Sequence, residues 1–299
     1  MDATEPRVAD APGVMRTQGW ADYALLDSGG GRKLERYGRF TVVRPEPQCL
    51  WAPRLPPEVW DRADAVFDPA GDEDEGRWRF RAAPVDTWPL AWGEVKFKGR
   101  FTAFRHLAFF PEQAANWAWL RDAVRGAGQP RVLNLFGYTG VASLVMAEAG
   151  AAVTHVDASK KAVGWARENA ELSGLADRPI RWITEDARKY VQREARRGSR
   201  YEGIILDPPK YGRGPGGEVW RLFDDLPELA GLCAELLSEN AAFLVLNAYA
   251  ERISGAALSG LLAEKLANRG GRIEWGELSL VQDGGQRQVG MSFYARWSP

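Results

Sequence analysis

Beyond residue 110, short apolar runs alternate with longer stretches in which apolar residues recur every three or four positions. The short runs predict buried strands, and the longer stretches predict amphipathic helices. The predicted strands are RVLNLF (131–136), AVTHVD (152–157), IRWITED (180–186), YEGIILD (201–207) and AAFLVLNA (241–248). A helix is predicted after each strand, which favours a parallel sheet with helices on both faces.

The last two apolar runs have no helix between them. RIEWGELSLV (272–281) and RQVGMSFYARW (287–297) are joined by the turn-forming residues QDGGQ, which predicts a hairpin. This hairpin adds one antiparallel strand to the sheet. We therefore expect a doubly wound, Rossmann-like α/β domain over residues 111–299, with a seven-stranded sheet whose last strand is antiparallel.

The earlier part of the chain has a different pattern, in which apolar and polar residues alternate with a period of two. Such alternation predicts half-buried antiparallel strands at 39–45, 77–85 and 94–101. The acidic stretch GDEDEG (71–76) is expected to be a solvated loop tip between two of them. A small β-rich module is therefore predicted over residues 15–110, with either substrate binding or covering of a ligand pocket as its role.

Composition narrows the class of protein. The chain has 299 residues, of which 45% are hydrophobic and 26% charged, which is typical of a globular protein. No apolar run approaches the roughly 18 residues of a membrane span. Residues 1–14 carry acids and prolines but no apolar signal segment, so we expect a flexible arm and a cytoplasmic protein. The net charge of −1 excludes a global basic field, although a local basic patch remains open.

Cysteine and histidine are scarce. Cys49 and Cys233 are too few for a disulfide framework, and with His106 and His155 they predict no metal site. His155 lies inside a predicted strand and is interpreted as a hydrogen-bonded core residue.

The candidate chemistry lies where the predicted strands end, because ligands of doubly wound sheets bind at the carboxyl ends of strands. Small residues after the first strand let a backbone approach a ligand, and an acid 17 residues after Gly140 can accept the hydroxyls of a ribose. An acid after the third strand could accept a proton of an adenine amino group. The candidate ligand-binding residues are Asn134, Phe136, Gly137, Tyr138, Thr139, Gly140, Asp157, Ser159 and Asp186.

The segment after the fourth strand is the most informative. Two consecutive prolines cannot continue a strand or donate N–H groups, so they predict a rigid turn beside a carboxylate. Such a turn can accept protons from an amino group, and an aromatic ring shortly after it can stack on a planar ligand. The candidate catalytic residues are Asp207, Pro208, Pro209, Lys210 and Tyr211. The glycines that follow, Gly212, Gly214, Gly216 and Gly217, predict a mobile lid.

Each of these features also has a purely structural interpretation. A glycine turn after a strand is often only a tight turn, acids at helix N-termini are often caps, and tyrosines often only pack. However, four successive strand ends carry suitable residues in a consistent order, which favours a ligand site.

At these positions the chain resembles a known family. NLFGYTG, VDAS, TEDA and LDPPKYGRG are similar to the successive motifs of class I S-adenosylmethionine-dependent methyltransferases, and most of all to those of the bacterial 23S ribosomal RNA large-subunit enzymes that modify cytosine C5 or guanine N7. The resemblance covers roughly residues 108–297. It implies S-adenosyl-L-methionine as cofactor and RNA, most simply ribosomal RNA, as substrate.

The resemblance also implies roles for residues. The turn 136–140 would cradle the methionine part of the cofactor, Asp157 would hold the ribose, and Asp186 the adenine amino group. Residues 207–210 would face the acceptor base. FFPEQAANWAW (109–119) is similar to a segment that closes over the cofactor, with Glu112, Gln113 and Asn116 matching it and Ala114 and Trp117 standing where arginines are expected.

One departure concerns the acceptor atom. Enzymes that methylate cytosine C5 use a cysteine thiolate, and members of the family with this activity carry it just after the fifth strand. Here that place reads LVLNAYA, with Asn247 and no thiol. Because the guanine-N7 members have an asparagine near this position, a nitrogen acceptor is favoured over cytosine C5.

Several alternatives remain at the level of sequence. A nicotinamide-dependent oxidoreductase would need a G-x-G-x-x-G turn, which FGYTG does not provide. A methyltransferase of a non-RNA substrate and a noncatalytic RNA- or ribosome-binding protein also remain open.

In the β-rich module a phosphate-binding face could be built from basic side chains, namely Lys33, Arg36, Arg39, Lys96, Lys98, Arg100 and Arg105.

Overall fold

The computed structural model describes residues 5–249 and 252–299, without the side chains of residues 72–74. The strands are β1 (Arg7–Val8), β2 (Gly13–Thr17), β3 (Tyr23–Gly29), β4 (Arg32–Tyr37), β5 (Phe40–Pro45), β6 (Ala65–Ala70), β7 (Asp72–Phe80), β8 (Trp88–Trp92), β9 (Val95–Gly99), β10 (Arg131–Leu135), β11 (Ala152–Asp157), β12 (Ile180–Thr184), β13 (Gly203–Leu206), β14 (Tyr211–Arg213), β15 (Val219–Arg221), β16 (Phe243–Ala248), β17 (Arg272–Val281) and β18 (Gln288–Ser298). The helices are α1 (Pro57–Trp60), α2 (Ala114–Ala127), α3 (Val141–Glu148), α4 (Lys160–Leu172), α5 (Ala187–Arg196), α6 (Leu222–Leu236) and α7 (Gly255–Lys265), with a 3-10 turn at Pro111–Gln113.

The chain forms two compact units. The first consists of the N-terminal segment up to Met15 together with Asn116–Leu278 and Ser292–Pro299. The second consists of Arg16–Ala115 and Ser279–Met291, so it includes the tip of the β17–β18 hairpin, which the sequence analysis assigned to the sheet domain. This tip joins the second unit because the N–H of Asp283 donates to the carbonyl of Leu25 at 2.7 Å.

The first unit is built on the predicted doubly wound sheet. Its strand order is β1-β17-β18-β16-β13-β10-β11-β12, with β2 also paired to β17. Strands β10 to β13 and β16 are mutually parallel, whereas β18 pairs antiparallel with β16. The predicted Rossmann-like α/β class is therefore confirmed, but the described part of the chain forms nine strands in this sheet in place of the predicted seven, because β1 and β2 also pair with β17. The antiparallel last strand lies inside the sheet, between β16 and β17.

Strand β1 and the first two residues of β2 lie in the segment 1–14, where a flexible arm was expected. Arg7 and Val8 pair in parallel with Arg272 and Ile273, and β2 pairs with the same strand β17. Residues 1–4 lie outside the described residues. The difference arises because β17 would otherwise be an edge strand with unpaired backbone groups, and the early residues satisfy them.

The topology defines where a ligand can bind in the first unit. From β10 the chain moves to β11 and β12 on one side, and then crosses back to β13 on the other side of β10. The carboxyl ends of β10 and β13 therefore flank the switch point, where crossovers diverge and leave a crevice. Helices cover both faces of a core in which Leu133, Leu206 and Leu244 are fully buried.

The second unit is β-rich, with a five-stranded sheet in the order β3-β4-β5-β6-β7 and a separate pair, β8–β9. Its pairings are antiparallel except for β5–β6, which is parallel. The acidic stretch 71–76 is not a loop tip: the turn lies at Gly71, whose φ of 84° favours glycine, and β7 begins at Asp72. The expected solvation of the side chains of residues 72–74 lies outside the described residues.

A buried ionic cluster lies in the second unit. The fully buried Glu35 accepts two hydrogen bonds of 2.7 Å from Arg44, and Tyr23 and Tyr37 donate to it at 2.9 and 3.1 Å. Burial alone would raise the pKa of Glu35, but the charges of Arg44 and Lys33 outweigh it and lower the pKa to about 2. Lys33 is itself buried and lies 3.2 Å from Glu46, so it does not belong to an exposed phosphate-binding face.

Candidate active site

The turn after β10 has an unusual backbone. Phe136 and Tyr138 have φ angles of 57° and 48°, and Gly140 has a φ of 81°. Left-handed conformations of residues other than glycine cost on the order of 1–3 kcal/mol and persist where surrounding structure enforces them, commonly at ligand sites. Here the turn is held by hydrogen bonds from Gly137 N–H to the carbonyl of Val156 and from Gly140 N–H to that of Gly137, both 3.0 Å long.

The two glycines of this turn are required by packing. A Cβ on Gly137 would lie 2.4 Å from the ring of His155, and a Cβ on Gly140 would lie 2.7 Å from that of Ala166. These glycines bring the turn close to β11 and α4, which are the elements that carry the next candidate residues. Their predicted role in the approach of a ligand stays a prediction.

The N-terminus of α3 differs from those of the next two helices. Ser159 caps α4 by accepting from Ala162 N–H, and Asp186 caps α5 by accepting from Lys189 N–H. Gly140 precedes α3 and offers no side-chain cap. Because the first N–H groups of a helix have no intrahelical partner, the start of α3 is suited to an anionic or polar ligand group.

Asp157 ends β11 and is half-buried beside this turn. Its Oδ2 accepts from the N–H of Tyr138 and its Oδ1 from the N–H of Ser159, each at 2.8 Å. Burial raises the pKa of Asp157, and these two backbone hydrogen bonds partly offset the rise. Each carboxylate oxygen retains capacity for a further donor, as binding of a diol would require.

Asn134, predicted to bind the cofactor, has an internal partner. Its amide donates to Ser143 Oγ at 2.8 Å, and Ser143 Oγ lies 3.0 Å from Nδ1 of His155. All three side chains are buried, and burial lowers the pKa of His155 to about 3. This network ties α3 to β10 and β11, so Asn134 supports the turn, and the interpretation of His155 as a hydrogen-bonded core residue is confirmed.

The remaining candidates of this group also make internal contacts. The carbonyl of Thr139, a buried residue, accepts from the amide of Asn169 at 2.9 Å. Asp186 is 8% exposed, and its Oδ1 accepts from Lys189 N–H at 2.9 Å. Ser159 is exposed and acts as a cap. Their direct contact with a cofactor stays a prediction.

The Asp-Pro-Pro turn leads into a hairpin, where the sequence analysis predicted a mobile lid. Strands β14 and β15 pair antiparallel, with Tyr211 opposite Arg221 and Arg213 opposite Val219. Trp220 anchors this hairpin: its indole N–H donates to the carbonyl of Pro209 at 2.8 Å, and its ring centroid lies 4.9 Å from that of Phe136.

Trp220 was missed by the sequence analysis, although its alternation with exposed Val219 and Arg221 in the run VWR was a usable signal. It links the turns after β10 and β13. Tyr211 lies on the opposite face of the hairpin and is 50% exposed, because successive strand residues point to opposite faces. This placement does not favour the predicted role of Tyr211 in stacking on the reacting ring.

The end of β16 carries a buried amide pair. Asn116 of α2 donates from Nδ2 to Oδ1 of Asn247 at 2.9 Å, and both residues are 2% exposed. Strand β16 pairs with β13, and Leu246 lies opposite Leu206, the last residue of β13. Asn247 therefore lies at the same edge of the sheet as the carboxyl end of β13. Asn116 belongs to the segment that resembles the family's closing segment, and Asn247 stands where C5 enzymes carry their cysteine. The structure brings these two residues into direct contact.

Gln113 lies in the second unit, at the end of the 3-10 turn, and is 6% exposed. Its role in closing over the cofactor stays a prediction. The two positions that lack the expected arginines, Ala114 and Trp117, are 5% and 3% exposed. An apolar residue suits such burial, whereas an arginine there would need a buried partner for its charge.

Both cysteines are buried and neither bears on the strand ends described above. Cys233 lies inside α6 and burial raises the pKa of its thiol well above the usual range, which confirms its interpretation as a core residue. Burial raises the pKa of Cys49 to about 11. Neither environment favours a thiolate.

In the part of the chain that the structure describes, every helix is too short or too polar to span a membrane.

The sheet order, the antiparallel last strand, the uncapped helix and the acid at the next strand end define a class I methyltransferase. The solved structure of an S-adenosylmethionine-dependent methyltransferase from Agrobacterium tumefaciens is 52% identical to this chain, with a TM-score of 0.95 over 100% of this chain and 97% of that one. The chain belongs to the S-adenosylmethionine-dependent methyltransferases, and it is an enzyme that uses S-adenosylmethionine.

Curated relatives match a part of the chain. Ribosomal RNA large subunit methyltransferase K/L of Shewanella frigidimarina is 32% identical over 155 residues, which are 51% of this chain and 21% of that protein. Ribosomal RNA large subunit methyltransferase I of Aeromonas salmonicida is 40% identical over 82 residues, which are 27% of this chain and 21% of that protein. The chain thus spans about a fifth of the length of these relatives. No protein-family model matches the chain.

Proposed function

We propose that this enzyme methylates a nitrogen atom of a base in ribosomal RNA. The RNA part of the proposal is supported by the curated relatives, which are named as methyltransferases of ribosomal RNA and align with up to about half of the chain. The nitrogen part is supported by the chemistry available at the strand ends.

The strand ends suit the successive parts of S-adenosylmethionine. The strained turn 136–140 and the uncapped start of α3 offer backbone N–H groups for the methionine carboxylate. Asp157, whose pKa burial raises, gains hydrogen-bond donors when ribose hydroxyls meet its carboxylate. Asp186 accepts from the adenine amino group. When bound, the cofactor supplies a methyl group that is already electrophilic on its sulfonium.

The protein has to align the acceptor and exclude water, since little other chemistry is needed. Asp207 and the carbonyl of Pro208 orient the acceptor base. The carbonyl of Pro209 is committed to the Trp220 indole, so it supports the turn. Lys210 lies at the exposed end of this segment, at the entry to the hairpin.

The observation that carries the nitrogen assignment is the environment of Asn247. Methylation of cytosine C5 requires a thiolate to attack C6. The penultimate residue of the fifth core strand, β16, is instead a buried asparagine held by Asn116, and the sequence that follows it, AYAER, has no cysteine. Cys49 and Cys233, the two cysteines of the chain, are buried with raised pKa values.

The test is transfer of tritium from labelled S-adenosylmethionine to RNA extracted from a strain that lacks the gene. We expect label in ribosomal RNA and, after digestion to nucleosides, in an N-methylated base. RNA from the parent strain is the control, because its site is already methylated and should accept little label.

Two results would contradict the proposal in different ways. Label found only in protein or small molecules would remove RNA as the substrate and keep the enzyme class. Label recovered as 5-methylcytidine would keep RNA and remove the nitrogen acceptor.

A further inference from the structure

The β14–β15 hairpin has two chemically different faces. On the inner face, Gly212 lies opposite the buried Trp220, which is 5% exposed. On the outer face, the two cross-strand pairs are Tyr211 with Arg221 and Arg213 with Val219. All four outer residues are exposed, so the hairpin presents an aromatic ring, an aliphatic side chain and two guanidinium groups to solvent.

The hairpin is fixed to the candidate active site by its inner face. Trp220 packs on Phe136 of the turn after β10 and donates to the carbonyl of Pro209. The N–H of Leu222 donates to the carbonyl of Lys210 at 3.0 Å and closes the base of the hairpin. The outer face is therefore held in a set position directly after the residues proposed to face the acceptor.

Among the described residues few large apolar side chains are exposed, yet three of them lie in or directly beside this hairpin. Tyr211, Val219 and Phe223 are 50%, 39% and 56% exposed, and they lie within thirteen residues of sequence. Single exposed apolar residues need no explanation, but an exposed ring and an exposed aliphatic side chain on one face of a hairpin beside a candidate active site indicate a binding surface.

The charge of the outer face is positive, because the acids near the hairpin already have partners. Glu218 accepts from Gly216 N–H at 2.8 Å and forms an ion pair with Lys189. Asp225 forms an ion pair of 2.9 Å with Arg188. Asp224 lies 4.0 Å from Arg221, and both side chains are about two-thirds exposed, so this pair is weak.

We propose that the outer face of the hairpin binds a single-stranded segment of RNA next to the base that is methylated. Alternation of an aromatic ring with guanidinium groups matches such a strand, since bases stack on rings and phosphates pair with cations. Cross-strand side chains lie close enough for Tyr211 and Arg221 to engage one nucleotide together. This inference rests on the proposed function and extends it from the acceptor to its neighbours.

The experiment compares kcat and KM of methyl transfer to ribosomal RNA from the deletion strain. Tyr211→Ala should raise KM about tenfold through loss of stacking, and Tyr211→Phe should restore it. The double variant Arg213→Ala/Arg221→Ala should raise KM and reduce the slope of log KM against log salt by about 1.4, as expected for two lost phosphate contacts on a single strand.

The matched control is Arg178→Ala. Arg178 is an exposed arginine of the same unit, just before the amino end of β12 and so at the opposite edge of the sheet. It should leave KM and the salt slope unchanged. Affinity for S-adenosylhomocysteine, measured by calorimetry, should stay within about twofold of the parent protein in every variant.

The outcomes separate this inference from the proposed function. If the parent enzyme methylates RNA while the Tyr211 and arginine variants keep its KM and salt slope, the hairpin inference is wrong and the proposed function stands. If the parent enzyme transfers no methyl group to RNA, both are wrong. A loss of cofactor affinity in the hairpin variants would also overturn the inference, because it would assign the hairpin to the cofactor site.

Discussion

Each of the two units buries a carboxylate, but the two carboxylates have different surroundings. Glu35 in the β-rich unit is fully buried and accepts from Arg44, Tyr23 and Tyr37. Asp157 in the sheet unit is half-buried and accepts from two backbone N–H groups. The pKa of Glu35 is lowered to about 2, whereas burial raises that of Asp157.

The difference separates a structural carboxylate from one suited to a ligand. Glu35 faces a cation and two hydroxyl groups, so its charge is compensated within the protein. The charge of Asp157 is compensated by neutral donors that do not fully offset the cost of burial, so further donors would stabilise it. A strand-end carboxylate whose pKa burial raises thus indicates a ligand site more strongly than a buried carboxylate whose pKa is lowered by an ion pair within the protein.

The largest effect is expected from Glu35→Gln. Removing one partner of a buried ion pair leaves the Arg44 charge uncompensated, which typically costs about 3–5 kcal/mol of unfolding free energy. Urea unfolding followed by tryptophan fluorescence measures this loss. Arg79→Ala is the control, because its ion pair with Asp68 is solvent-exposed and should contribute little to the free energy of unfolding. Equal effects of the two variants would contradict the structural role of Glu35.

Asp207→Ala should act on the chemical step. Asp207 directly follows the fourth core strand, β13, and precedes the prolines proposed to face the acceptor, so losing it misplaces the reacting nitrogen. We expect the single-turnover rate of methyl transfer to fall by roughly 10²-fold or more, with cofactor affinity nearly unchanged. An unchanged rate would remove Asp207 from the acceptor site.

Asp157→Ala should act on binding. Charged hydrogen bonds to the ribose are present in ground and transition states alike, so affinity for S-adenosylhomocysteine should fall by about 1.5–3 kcal/mol. The rate at saturating cofactor should fall less than in Asp207→Ala. Calorimetry beside single-turnover kinetics separates the two variants. If Asp207→Ala abolished cofactor binding and Asp157→Ala left it intact, the assignment of strand ends would be reversed.

The smallest effect concerns pH. The pKa of Asp157 is raised, so the ionised form that accepts from ribose is lost early on acidification, and cofactor affinity should fall as the pH drops through this raised value. Glu35 has a lowered pKa, so its stabilising contribution is present above the ordinary pKa of glutamate and is lost only as the pH falls towards about 2. Affinity for the cofactor should therefore decline at a pH at which urea unfolding still shows a stable protein. Constant cofactor affinity down to the pH at which the protein begins to unfold would contradict this order.

Several features followed from local sequence because their causes are local. The apolar runs and their turns predicted the strands β10 to β13 and β16, and Ser159 was predicted correctly as the cap of α4. Asp157 was predicted from its position at a strand end. The parallel sheet also followed, because alternation of strands and helices leaves few ways to bury the apolar faces.

Other features depended on contacts between distant residues. Gly137 is required by the ring of His155, eighteen residues later, and Asn116 meets Asn247 across 131 positions of sequence. Sequence pattern alone could not have shown that Lys33 is buried against Glu46, since its run of basic residues resembles a solvated face. The burial of a side chain and its choice of partner are set when helices and strands pack together. A single stretch of sequence therefore does not determine them.

The sequence by itself determined the order of the elements and the residue types at the strand ends, because hydrophobic period and turn chemistry act over a few residues. Only the tertiary structure decided which of those side chains are already satisfied. In the folded protein Asn134 hydrogen-bonds within an internal network, and Tyr211 lies on the outer face of a hairpin. Trp220 contacts both the turn after β10 and the turn after β13. The physical reason is that a hydrogen bond or ring contact depends on three-dimensional proximity, which the packing of the sheet and its helices creates.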